Sequence, residues 1–167
     1  MPVTTDIVAS WRRPRTVMRR FLDQGQREDR ALIFLMTACF LLFIAQLPRL
    51  SRIVAGFEEL PGGETPEFTA LVAYAFFGSM FVLPLVFYGL AGLSHLVARP
   101  LGGQGSWFGA RLALFWALLA STPAALLYGL VRGFIGVGIQ AALVGFIWTI
   151  AFVVIWLFCL TEAEAAR

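Results

Sequence analysis

Four long apolar runs, Ala31 to Leu47, Phe68 to Ala98, Phe108 to Val131 and Gly138 to Leu160, occupy more than half of this 167-residue chain and decide what it can fold into. A helix needs roughly 20 apolar residues to cross about 30 Å of hydrocarbon. In lipid the backbone must satisfy its own hydrogen bonds, which leaves helices or a closed barrel. With 59% of its residues apolar, the chain carries more hydrophobic surface than a soluble core of this size could bury. The sequence therefore predicts an all-α, polytopic membrane helix bundle with four transmembrane helices. It divides into a cytoplasmic arm over 1–30, the bundle over 31–160 and a short acidic tail over 161–167.

The first run has 17 residues, the short limit for a span, and is bracketed by Arg30 and by Pro48-Arg49. The loop from Pro48 to Glu67 is broken by Pro61-Gly62-Gly63 and turns acidic at Glu58, Glu59, Glu64 and Glu67. The second run has 31 residues, about 46 Å of helix, which exceeds the membrane. It fits one helix kinked at Pro84 and projecting past His95. If instead it breaks at Gly89 and Gly92 and crosses twice, the chain has five spans.

All 13 basic residues are arginines, and seven precede residue 31. With the amino terminus inside, ten arginines face the cytoplasm against Arg49, Arg52 and Arg132 outside, so both ends are expected in the cytoplasm. Within the arm, Pro14 suits the first turn of a helix and Gly25 its end. Val17, Met18, Phe21 and Leu22 share one face of that helix, with Arg15, Arg19 and Arg20 on its flanks. Such a helix can lie in the interface, or it can pack its apolar stripe on the ends of the spans. Arg12, Arg13, Arg15, Arg19 and Arg20 are the candidate contacts to anionic lipid headgroups. The arm has no pattern for reading bases, so nucleic acid is not an expected partner.

The third run repeats a small residue at every fourth position: Gly109, Ala113, Ala117, Ser121, Ala125, Gly129 and Gly133. That spacing lets another helix approach closely. The partner is another membrane protein, a second copy, or a neighbour inside the bundle. Ser121 and Thr122 can also satisfy backbone groups that Pro123 frees.

Little in the sequence carries chemistry. His95 is the only histidine and suits a structural role better than a haem, zinc or triad role. No phosphate loop, nucleophile elbow or paired carboxylate is present. No catalytic residue, cofactor or metal is expected. No Asp or Glu falls inside a predicted span, which argues against ion-coupled transport. A small transporter or channel subunit remains the alternative, on Pro84, Pro123 and the over-long second run. Cys39 and Cys159 sit at different depths and are not expected to pair.

The Pro-led basic entry (Trp11-Arg12-Arg13-Pro14-Arg15, then Met18, Phe21, Leu22), the short first span, the Gly/Pro-rich loop and the closely linked later spans resemble the bacterial branch of the Ypt/Rab-interacting-protein (YIP) membrane family over roughly residues 8 to 160. The resemblance implies a non-catalytic membrane scaffold or adaptor. For a bacterial chain with no lysine and much Ala and Gly, it implies the inner membrane.

Overall fold

The computed structural model describes residues 2–60 and 66–165, and within them it contains helices and no strand. The helices are α1 (Val3–Ser10), α2 (Pro14–Asp23), α3 (Glu28–Val54), α4 (Phe68–Phe77), α5 (Leu83–Ala98), α6 (Trp107–Phe134) and α7 (Ile139–Glu164). Four are long and apolar enough to cross a membrane: α3, the continuous run from Phe68 to Leu101, α6 and α7. The Pro61-Gly62-Gly63 break, Glu64 and Arg167 lie outside the described residues.

The long second run stays one helix, and Gly89 and Gly92 remain inside α5. Proline at 84 has no N–H to give and crowds the preceding turn. The chain answers with a π turn over Gly78–Val82, in which the Leu83 N–H donates to Gly78 O, five residues back. Pro48, expected to end the first span, lies inside α3 instead. Its ring rests where α6 has no side chain: a Cβ on Gly133 would come 2.2 Å from Pro48 Cβ.

Helix α6 is the axis of the molecule. Of its most apolar stretch 61% is buried, against 33% for α3, 17% for the Phe68 to Leu101 run and 11% for α7. Phe115, Trp116, Leu118 and Leu119 fill the centre. Helices α3 and α6 run parallel, since Glu28 meets Arg111 at one end and Ala45 meets Gly129 near the other.

The small-residue stripe explains how α6 serves two neighbours. At 100° per residue, four residues turn 400°, so each step advances 40° and six steps wind the stripe about 240° around the helix. Gly109 therefore faces Ala163 of α7, while Gly129 and Gly133 face Ala45 and Pro48 of α3. Ala113, Ala117, Ser121 and Ala125 are buried between them. Ser121 Oγ also accepts from Trp148 Nε1 of α7 at 3.4 Å.

The arm is a helical hairpin keyed into α6. Val17, Met18 and Phe21 are buried, so the apolar face of α2 packs on the bundle. The Phe21 ring meets Trp116 edge-on at 4.7 Å, and Phe34 completes the cluster 4.9 Å from Trp116. Buried Ser10 accepts the Trp116 indole N–H at 2.9 Å. Pro123 leaves the Leu119 carbonyl without its usual N–H, and Thr122 Oγ1 donates to it at 2.7 Å, as the sequence anticipates. One residue on, the Ala120 carbonyl accepts from Trp11 Nε1 at 2.9 Å. Ala120 lies about 20 Å along α6 from Trp107. The Trp11 indole thus reaches into the bundle from the hairpin turn, and the arm packs on the spans.

Candidate functional site

The arm-side end of the bundle gathers most of the polar chemistry. Helix α5 passes through a short 3-10 turn, Arg99–Leu101, that ends at Gly102, whose φ of +92° only glycine adopts freely. The Gly103 N–H returns to Ala98 O at 3.0 Å in the manner of a Schellman cap. The next two amides turn to α7. Gln104 N–H donates to Glu164 O at 3.0 Å and Gly105 N–H to Glu164 Oε2 at 3.1 Å. A side chain at 105 would collide with the Ala163 carbonyl 2.3 Å away. The carboxylate of Glu164 thereby sits beside the start of α6, where Ser106 Oγ accepts from Gly109 N–H and the helix dipole favours negative charge.

Its other oxygen, Oε1, lies 2.6 Å from His95 Nδ1. His95 is 1% exposed and Glu164 7%, and the Trp107 ring packs on the imidazole at 4.5 Å. This pair joins α5, α7 and the turn between α5 and α6. The sequence placed Glu164 in a tail beyond the last span; α7 instead continues one turn past Leu160 and brings the carboxylate inward. An acidic residue directly after a long apolar run, with one histidine at the same depth, is the signal that could have found it. Among the described residues no group of three potential ligands could hold a metal ion.

The arginines of the arm divide by partner. Arg19 pairs with Glu162 of α7 at 2.7 Å and Arg20 with Asp6 of α1 at 2.5 Å. Arg15 lies over the Phe158 ring at 5.0 Å. Arg12, Arg13 and Arg15 are exposed and form no ion pair among the described residues. They make one positively charged edge where the hairpin turns. Arg111, near the start of α6, meets Glu28 of α3.

At the far end, Glu58 closes a clamp between α3 and α6. Its Oε1 accepts from Arg49 at 2.7 Å and from Arg132 at 2.9 Å. Burial pushes the Glu58 carboxyl up, but the hydrogen bond and charge of Arg49, then those of Arg132, outweigh it and hold it below the ordinary 4.5. A carboxyl with a lowered folded pKa contributes stability that is complete above pH 4.5 and lost as pH falls through the folded value. Melting of the detergent-purified protein between about pH 7 and about pH 3 should show that loss. Glu58→Gln should be less stable at neutral pH and flatter below it; a profile parallel to the parent's would contradict the clamp.

A helix bundle of this kind, with four spans, a basic hairpin seated in one end and a charge clamp at the other, is an integral multi-pass membrane protein. A family model described as the Yip1 domain matches residues 8–166. The chain belongs to the Yip1 domain family and is a membrane protein of the YIP type. No curated protein and no solved structure matches it.

The stripe residues Ala113, Ala117, Ser121, Ala125 and Gly129 are buried inside the chain, spread over the faces that α7 and α3 cover, and they are not at its surface. The resemblance to the YIP family, drawn from layout and the Pro-led entry, is borne out by the family match.

Proposed function

We propose that this chain is a non-catalytic scaffold or adaptor of the bacterial inner membrane, with both ends in the cytoplasm. It holds anionic lipid at its basic edge and other membrane proteins, or a second copy, along its spans. The observation that carries the reading is how unevenly the spans are used. The Phe68 to Leu101 run and α7 bury only 17% and 11% of their most apolar stretches, leaving two long helical faces for partners. The winding stripe is already occupied by α3 and α7, so association falls to those outer faces. Arg12, Arg13 and Arg15 remain for headgroups, each worth about 1 kcal/mol at an anionic surface, while Arg20 joins the two helices of the hairpin and Arg19 ties it to α7.

Orientation rests on charge. The arm and the end of α7 share one side, through the Arg19 to Glu162 pair. Counting described arginines, the seven of the arm with Arg99 and Arg111 make nine on that side, against Arg49, Arg52 and Arg132, three, on the other. A channel or transporter subunit is less well supported, because fully buried Phe115 and Trp116 fill the bundle where a pathway would run.

Photocrosslinking in native membranes tests association. A photoreactive residue at Tyr74, Phe81 or Ile147, each more than half exposed, should yield discrete higher-mass protein adducts, and one at Ala117 should yield none. Only lipid adducts from all three exposed positions would contradict the scaffold reading.

A further inference from the structure

The cluster at the far end of α3 and α6 pairs two of its three guanidiniums and leaves the third, Arg52, outside the pairing. Arg49 and Arg132 share the Glu58 carboxylate. Arg52 forms no ion pair among the described residues. Its Nη1 reaches only the carbonyls of Gly133 and Phe134, both at 3.5 Å.

The Arg52 guanidinium nevertheless has a built seat. It lies over the Phe57 ring at 5.4 Å. Gly136, with φ of +95°, leaves the space it fills, since a Cβ there would be 2.7 Å from Arg52 Nη2. The carbonyls it touches end α6, where a cation is favoured. They use one nitrogen of a group with five donors.

Below this group runs a groove of about 930 Å³. Its walls include Ile44, Leu47 and Pro48 of α3 and Phe134 and Ile135 at the end of α6, and Arg52 stands at its mouth. From Ile44 to Arg52 is about 12 Å along α3. The apolar run of α3 stops at Leu47, so the floor of the groove lies at hydrocarbon depth and Arg52 at the polar boundary.

We propose that this groove binds one anionic phospholipid, with its phosphodiester on Arg52 and one acyl chain along Ile44, Leu47 and Ile135. A chain in the groove completes an apolar surface that water would not fill favourably. A phosphate at Arg52 supplies a counter-charge that none of the described residues gives it, in the geometry a guanidinium suits best. The site lies at the end of the bundle opposite the arm, so it is separate from the arginine edge there, and it does not depend on the scaffold reading.

The test is native mass spectrometry of the full chain in detergent, titrated with phosphatidylglycerol. The parent should retain one lipid, with at least tenfold weaker retention in Arg52→Gln and in Ile44→Trp, which fills the groove while keeping the cation. Arg12→Gln with Arg13→Gln should leave this adduct unchanged, and glycerol phosphate should not displace it. Should Arg52→Gln fail to fold, Ile44→Trp decides alone. Undiminished retention in Ile44→Trp, displacement by glycerol phosphate, or loss only on changing Arg12 and Arg13 would each overturn the proposal.

Discussion

Gly129→Leu is expected to abolish the folded bundle, or to destabilise it by more than about 3 kcal/mol, at or above the usual range for an overpacked core. A Cβ at 129 would lie 2.0 Å from the Ala45 carbonyl oxygen and 2.8 Å from its carbon. The obstacle is backbone, so no rotamer change relieves it, and α3 must withdraw from α6. In lipid that withdrawal forfeits the van der Waals contact on which helix association mainly rests. Gly129→Ala should fall between the parent and the leucine variant. Gly89→Ala supplies the contrast: a Cβ at 89 would meet no neighbouring segment within 4 Å, and alanine suits a helix interior better than glycine by roughly 0.5–1 kcal/mol. Unfolding in mixed micelles should rank Gly89→Ala as the most stable of the three and Gly129→Leu as the least. A Gly129→Leu protein as stable as Gly89→Ala would mean that α3 and α6 do not cross at this point.

The second large effect belongs to the buried pair. Glu164→Ala removes the partner of His95 and of the Gly105 amide together. Leaving a buried polar group unsatisfied costs about 1–3 kcal/mol, and here two are left, the imidazole and the Gly105 amide. A loss of roughly 2–4 kcal/mol is expected for the single change. Replacing both members with apolar groups of similar shape is often nearly neutral. His95→Phe combined with Glu164→Leu should therefore recover much of what either single change loses, with a coupling of about 1–3 kcal/mol in a double-mutant cycle. Strict additivity would show that the two side chains act independently.

What the sequence made legible follows from how strongly each physical signal is written. Long apolar runs have one solution in lipid, so a helical bundle could be read directly, with the 31-residue run open between one helix kinked at Pro84 and two crossings. Thr122 was legible because a hydroxyl beside a proline has an obvious local use. Pro48 misled because a proline at a run's end usually stops a helix; here Gly133, 85 residues later, makes room for its ring. The stripe on α6 was visible, but spacing alone does not say whose helix fills it. The hairpin's depth was hidden for the same reason: Trp11 finds Ala120 only once the bundle exists. Glu164 was missed because charge next to an apolar run reads as a solvated tail, and its partners lie on two other segments.

In the proposed orientation the arm and the α5 to α6 turn share one side of the membrane, facing the cytoplasm, with the far-end clamp outside. Single-cysteine labelling tests this directly, in a background where buried Cys39 and Cys159 are changed to Ala. A membrane-impermeant maleimide applied to intact cells should label Phe57→Cys and Val137→Cys at once. It should reach Thr16→Cys and Gln104→Cys only after the membrane is opened. Labelling of Gln104→Cys from outside, or of Thr16→Cys and Gln104→Cys from opposite sides, would contradict it.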